Sequence, residues 1–204
     1  MFHTLNPNLI LGFHGCDKKT GEAILEGAPF KPSSNNYDWL GPGIYFWESN
    51  PARALSFAKE QKVRGRVSQP FVLGAVLSLG NCVDTLNEES LIAIKEAHKT
   101  LVEHLKMAGE PVPVNGGGQD LLVRRLDCAV MYTLHELAKT AGKEIDSVRG
   151  LYHEGGKLYD NSGFYAKSHV QIAICNPSCI KGVFRVPQED IRGSTAPKKV
   201  KRSR

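Results

Sequence analysis

The sequence lacks the long apolar runs of a membrane protein and the features of a secretory leader. No run of about 18 or more apolar residues occurs, which is the length that a spanning helix needs. The opening MFHTLNPNLILGFHG carries neither a basic segment nor a small-residue cleavage site. These absences predict an intracellular protein, cytoplasmic by default, with no membrane among its partners.

Cysteine is scarce and follows no pattern. The five cysteines are an odd number with no CxxC pair, which favours reduced thiols over a disulfide framework. His169, Cys175 and Cys179 lie close in sequence but lack the second ligand pair of a tetrahedral zinc site, so we predict no metal centre. Cys16 lies near His14, which is a weak indication of a thiol nucleophile.

The common nucleotide and hydrolase motifs are also missing. The chain has no GxGxxG after a strand, no Walker A lysine, no GxSxG and no HExxH. The glycines of the NGGGQ segment have no strand before them and no lysine after them, so they predict a connector. Dinucleotide-binding Rossmann folds, P-loop enzymes, serine hydrolases and zincins are therefore disfavoured.

Positive charge is concentrated at the carboxyl end. The net charge is +5, but the segment KKVKRSR at 198–204 holds five basic residues, and without them 21 basic residues face 21 acidic ones. We predict a basic flexible tail at 191–204 rather than a basic face on the fold. A short nuclear import signal, if the protein is eukaryotic, is the alternative interpretation.

The order of apolar patterns predicts an α+β fold in a single domain over 1–190. Strand patterns lie near both ends, with a helical insertion at about 81–150 between them. The expected strands are 9–13, 44–47, 71–79, 170–175 and 180–186. The expected helices follow Asp17 or Thr20, follow Asn50-Pro51, and cover 88–107 and 120–141, the last with an apolar stripe of Leu122, Leu126, Val130, Leu134 and Leu137.

Three segments carry a more specific pattern. They are FHG at 13–15, GPGIYF at 41–46 followed by A-x-x-F at 54–57, and SHVQIAI at 168–174. Together they resemble the ADP-ribosyltransferase superfamily, in the branch of poly(ADP-ribose) polymerases and diphtheria-type toxins. The resemblance covers about 9–80 and 165–187, and it implies a split antiparallel β-sandwich with NAD as co-substrate.

The resemblance implies roles for four residues. His14 would bond the adenosine ribose of NAD, and the backbone of Gly15 would hold the nicotinamide carboxamide. Tyr45 and Phe57 would enclose the nicotinamide ring, a role that suits aromatic faces next to a cationic pyridinium. The loop 28–38, with Tyr37 and Trp39 at its end, is placed like the flexible loop that covers the dinucleotide.

Two positions depart from the family pattern. Ala54 takes the place of a small hydroxyl residue that helps to hold the carboxamide, with Ser49 and Ser56 as stand-ins. Gln171 takes the place of the catalytic glutamate, which would complete a series of His14, Tyr45 and Gln171. A neutral amide can bond a ribose hydroxyl but cannot act as a base, so chain elongation is disfavoured. Two acids, Glu154 and Asp160, lie nearby in the sequence without aligning to the motif.

The resemblance therefore predicts an NAD-dependent mono-ADP-ribosyltransferase, with a protein or a nucleic acid as acceptor. By family analogy it would be a toxin or a defence effector, and a neutralising partner protein would be expected. An inactive module that binds NAD or ADP-ribose is the first alternative. An NAD-dependent RNA 2′-phosphotransferase is the second, although that branch needs a second His and an Arg in place of Tyr45 and Gln171.

Overall fold

A computed structural model describes residues 9–191 and has an α+β fold. Nine strands and five α-helices are described in that part of the chain. The strands are β1 (Leu9–Asp17), β2 (Ile44–Glu48), β3 (Pro70–Ser78), β4 (Cys82–Asp84), β5 (Asn115–Gly116), β6 (Val123–Arg124), β7 (Ser147–Tyr152), β8 (His169–Ile174) and β9 (Ile180–Arg185). The helices are α1 (Lys18–Leu25), α2 (Pro51–Val63), α3 (Glu88–Ala108), α4 (Arg125–Thr140) and α5 (Gln188–Ile191).

Seven of the strands form one mixed sheet in the order β4-β7-β8-β2-β1-β3-β9. All neighbours pair antiparallel except β4 and β7, which are parallel. The predicted α+β class is confirmed. All five predicted strands occur, and β1 continues four residues beyond the predicted end.

The first two helices start where the sequence predicts. The Asp17 side chain accepts a hydrogen bond from the Lys19 N–H and caps α1. The Asn50 side chain accepts from the Arg53 N–H, and Pro51 supplies the first helical residue of α2. Because both caps are local, they could be recognised in the sequence alone.

The region 81–150 is not purely helical, which corrects the predicted insertion. It contains α3 and α4, but also β4 and the first four residues of β7, which are strands of the main sheet. Helix α4, which the sequence predicts over 120–141, begins at Arg125. The Asn115 side chain accepts from the Leu126 and Asp127 N–H groups, so a residue distant in sequence satisfies the first turn of α4.

Helices α3 and α4 cover one half of the sheet and form an apolar core with it. Val130 and Leu134 of the predicted stripe are buried there against Val148 of β7 and Ala173 of β8. Leu122 and Leu137 are exposed, so the buried stripe is shorter than predicted. Separate apolar clusters lie around β1, β2, β3 and β9.

Other sequence predictions concern features outside the sheet. No helix within residues 9–191 is both long enough and apolar enough to cross a membrane. In the same residues, no group of three or more His, Cys, Asp or Glu side chains is arranged to hold a metal ion. The predicted basic tail, apart from its first residue, lies outside the described residues.

Candidate functional site

A cavity opens where two neighbouring strands of the sheet diverge. β1 and β2 pair at only two positions, Gly12 with Glu48 and Phe13 with Trp47. Both strands continue past this pair without further backbone pairing, and a cavity of about 690 Å³ lies beside them. Its walls include residues from all three resemblance segments, namely His14, Gly15, Gly43, Tyr45, Phe57 and Gln171.

His14 bridges the gap between the two strands. Its Nδ1 lies 2.8 Å from the Tyr45 carbonyl oxygen, so Nδ1 carries the hydrogen and donates it. Burial lowers the pKa of His14, which keeps the imidazole neutral. Nε2 is then an acceptor, and a ligand hydroxyl in the cavity can donate to it.

Gly15 offers backbone groups to the same gap. The Leu11 carbonyl accepts a hydrogen bond from the Ser49 N–H, so the backbone groups of Leu11 face the β2 side of the strand. The backbone N–H and C=O groups of every second residue in a strand point to the same edge. Those of Gly15, four residues later, therefore also point toward β2. If the register continued, Gly15 would face Tyr45, but the carbonyl of Tyr45 is taken by His14. The N–H and C=O of Gly15 are therefore placed to pair with a planar amide.

Close packing requires glycine at position 15. A Cβ atom there would lie 2.1 Å from the Ala54 carbonyl oxygen in α2. Ala54 itself is fully buried and does not line the cavity, so it helps to shape the site from behind Gly15. The stand-ins Ser49 and Ser56 are exposed and do not line the cavity either.

Three aromatic residues of the resemblance line the cavity. The Tyr45 hydroxyl donates to the Gly41 carbonyl at 2.8 Å and accepts from the Leu40 N–H at 3.2 Å, which fixes the ring. Burial raises the pKa of Tyr45 well above its usual value, so the hydroxyl stays protonated. Phe57 packs on Trp47 at 4.9 Å between ring centroids, and Tyr37 is partly exposed at the rim.

Gln171 is held by hydrogen bonds at both ends of its amide. The Trp39 Nε1–H donates to Gln171 Oε1 at 2.7 Å, and Gln171 Nε2 lies 3.1 Å from His169 Nε2. His169 Nδ1 donates to the Lys167 carbonyl at 2.7 Å. His169, considered above as a metal ligand, thus uses both ring nitrogens within the protein.

A nearly buried ion pair lies in the cavity wall. Arg53 donates to Glu154 Oε1 through Nε at 2.9 Å and through a terminal nitrogen at 2.5 Å. Both side chains are about nine-tenths buried, and Arg53 also lies 3.4 Å from Glu60. Glu154 therefore lines the cavity, whereas Asp160, the other nearby acid, does not.

The charged side chains of the cavity wall carry a slight positive excess, with five Lys and Arg residues against four Asp and Glu residues. Four acidic side chains line it, and each accepts a hydrogen bond from a neighbour, as found for Asp38, Glu60, Asp120 and Glu154. Four basic side chains there have no ion pair or side-chain hydrogen bond within residues 9–191, namely Lys31, Arg64, Arg66 and Lys167. The cavity can therefore accept an anionic ligand.

The thiols do not contribute a nucleophile to the cavity. Burial, together with the adjacent Asp17 carboxylate, raises the pKa of Cys16 to about 11. Burial raises the pKa of Cys175 to about 12. Neither residue lines the cavity, and the weak indication of a reactive Cys16 gains no support.

Sequence reasoning did not identify several residues of the cavity wall. Arg53, Arg64 and Arg66 lie on α2 or just after it and carry no motif. Trp39 stands at the end of the predicted loop, but its partner Gln171 is 132 residues away. Only the folded sheet brings them together.

Comparison with known proteins gives one relative. The chain is 27% identical over 187 residues to an uncharacterized protein, MJ0359, of Methanocaldococcus jannaschii. The alignment covers 83% of each chain. No family model matches the chain. No solved structure matches it either.

Proposed function

We propose that this protein is an NAD-dependent mono-ADP-ribosyltransferase, and that its seven-stranded mixed sheet, which parts between β1 and β2, corresponds to the split β-sandwich of the ADP-ribosyltransferase type. The observation that carries the proposal is the convergence of three distant segments on one cavity. His14 and Gly15 line one side of the gap between β1 and β2, Tyr45 lines the other, and Gln171 follows on β8.

The parts of NAD match the groups around the cavity. The nicotinamide ring fits against Tyr45 and Phe57, with its carboxamide paired to the N–H and C=O of Gly15. A ribose hydroxyl donates to His14 Nε2. The diphosphate is attracted by the four basic side chains of the wall that have no ion pair in the described part of the chain, and loop 28–38 closes over the dinucleotide with Tyr37 at the rim.

The proposed reaction breaks the bond between the nicotinamide nitrogen and C1′ of its ribose. The bonding electron pair leaves with nicotinamide, and the ribose carbon becomes an oxocarbenium-like centre. A nucleophilic group of the acceptor supplies the electron pair for the new bond and then loses its proton to solvent. Gln171 can bond a ribose hydroxyl but cannot remove a proton, which limits the product to one ADP-ribose on an acceptor that is already nucleophilic.

Release of nicotinamide from NAD tests the proposal. We expect release by the wild type with a cell lysate as a mixed source of acceptors, and transfer of label from NAD to protein or nucleic acid. His14→Ala and Tyr45→Ala should each reduce nicotinamide release at least about a hundredfold, because a loss of this size is typical when a bound substrate is no longer held in position. Gly182→Ala, in β9 with open space around the added methyl group, is the matched control.

Equal rates for the wild type and for both cavity variants would contradict the proposed site. An NAD-binding module without turnover is the second candidate, and the fixed amide of Gln171 favours it because no carboxylate occupies that position. NAD binding that depends on His14 and Tyr45, without nicotinamide release, would identify this second function.

A further inference from the structure

The amide of Gln171 is oriented by partners from two other parts of the chain. Trp39, at the end of the loop before β2, donates to its oxygen at 2.7 Å. His169, two residues earlier on β8 and on the same face of the strand, lies 3.1 Å from its nitrogen. The three side chains form one hydrogen-bonded chain beside the cavity.

The tautomer of His169 determines the direction of this chain. Its Nδ1 lies 2.7 Å from the Lys167 carbonyl, which can only accept, so Nδ1 carries the ring hydrogen. Nε2 of the neutral ring then has a lone pair and no hydrogen. The contact with Gln171 is made only if residue 171 donates an N–H, as an amide does and a carboxylate does not.

Surrounding rings hold both partners in place. The Trp39 ring packs edge-on against Tyr152 at 5.2 Å, and the Arg124 guanidinium lies 5.0 Å from its centroid. The His169 ring stacks on the same Tyr152 at 5.6 Å with an interplanar angle of 25°. The Tyr152 ring thus packs against both partners of the Gln171 amide.

We propose that Trp39 and His169 are positioning residues that fix the amide of Gln171, and that this site requires an amide rather than a carboxylate at position 171. With the His169 ring neutral, an ionised glutamate at position 171 would place an oxygen lone pair opposite the lone pair on Nε2 of His169, and the two would repel each other. The contact would be restored by one proton taken up between the two groups, and this proton would reside on Nε2 of His169 because imidazole is more basic than a carboxylate. The relevance to NAD rests on the proposed function, but the hydrogen-bonded chain does not.

Burial is the main factor that opposes protonation of His169 in the wild type, and the groups around the ring act in both directions. Burial lowers the pKa of His169, and the positive charge of Arg53 and the His153 ring act in the same direction. The Lys167 carbonyl and the Glu154 carboxylate raise it, but Glu154 is paired with Arg53. A carboxylate at 171 would add an unpaired negative charge next to the ring, which favours the charged imidazolium.

Nitrogen NMR of the histidine rings tests the inference without any ligand. In the wild type we expect His169 to be neutral at pH 7 with its hydrogen on Nδ1. In Gln171→Glu we expect the pKa of His169 to rise by about one unit or more. His98, exposed on α3, serves as the internal control, and its ring signals should be the same in both proteins.

Trp39→Phe provides a second variant, because it removes the indole N–H and keeps an aromatic ring against Tyr152. We expect the His169 tautomer to persist and the side-chain amide signals of Gln171 to shift. Nicotinamide release from NAD should fall about three- to tenfold, as expected for the loss of one hydrogen bond.

Each outcome bears on one of the two proposals. A hydrogen on Nε2 of His169 in the wild type, or an unchanged His169 pKa in Gln171→Glu, would overturn the inference even if NAD is turned over. The expected NMR results with no NAD binding or turnover by any of the proteins would support the positioning of Gln171 and refute the proposed function.

Discussion

Substitution of Gly15 by alanine perturbs the link between β1 and α2 more directly than any other single change at the cavity. The added Cβ would lie 2.1 Å from the Ala54 carbonyl oxygen, whereas ordinary contacts begin near 3.4 Å. β1 and α2 would have to separate by roughly 1.3 Å, and both are backbone, so no side chain can rotate away.

The cost follows from this separation. Overpacking of a core typically costs 1–3 kcal/mol, and a backbone clash belongs at the upper end, so we expect a loss of about 3 kcal/mol in the free energy of unfolding. For a protein of this size, that loss corresponds to a fall in Tm of roughly 6–12 °C. NAD affinity should also fall in the folded fraction, because Arg53 and Phe57 of α2 line the cavity and would move with the helix.

Thermal unfolding and urea titration measure this effect, with Gly182→Ala as the matched control. An added Cβ at Gly182 meets no atom within 4 Å, so the same glycine-to-alanine change in β9 should alter the free energy of unfolding by less than about 1 kcal/mol. A Gly15→Ala protein with the Tm and NAD affinity of the wild type would refute the proposed contact between β1 and α2.

Three further predictions concern the charges and thiols. Glu154→Gln should lower the free energy of unfolding by about 2 kcal/mol in urea titration, because it leaves the Arg53 charge without its main partner. Glu103→Gln, at an exposed position of α3, should have almost no effect. Equal losses of stability in the two variants would contradict the ion pair. Hydrogen bonds from Ser68, Gln69 and Lys19 lower the pKa of Asp17 to about 2, so its contribution is present above pH about 4 and is lost as the pH falls toward 2. Asp17→Asn should therefore lower stability at pH 6 and flatten the acid unfolding profile in that window, and an unchanged profile would count against the cap. The raised pKa values of Cys16 and Cys175, about 11 and about 12, should make both thiols slow to react with iodoacetamide at pH 8 in the folded protein and faster in urea. Rapid labelling of either thiol in the folded state would contradict the raised pKa values.

The sequence predicts those parts of the fold that depend on short-range chemistry. Asp17 and the Asn50-Pro51 pair mark the starts of α1 and α2 because a helix cap involves residues only a few positions apart. The sequence does not predict β4 or β7. β4 is only three residues long, and β7 interrupts its apolar pattern with Arg149, whose charge is compensated by Glu48 and Asp84 from other strands.

The same distinction applies to the cavity. His14, Gly15, Tyr45, Phe57, Tyr37 and Gln171 all line it, as expected if the motifs converge. Ala54 does not, because its methyl group is buried and its carbonyl faces Gly15. The partnership of Trp39 with Gln171 spans 132 residues and depends on the pairing of β2 with β8, which no local pattern encodes.

The most direct test of the central claim is the amount of free nicotinamide formed when NAD is incubated with the purified wild-type protein and with Tyr45→Ala. We expect nicotinamide from the wild type and almost none from Tyr45→Ala, and, when a cell lysate supplies acceptors, one ADP-ribose per modified acceptor. Nicotinamide release that is equal in the two proteins, or NAD that is neither bound nor cleaved by the wild type, would contradict it.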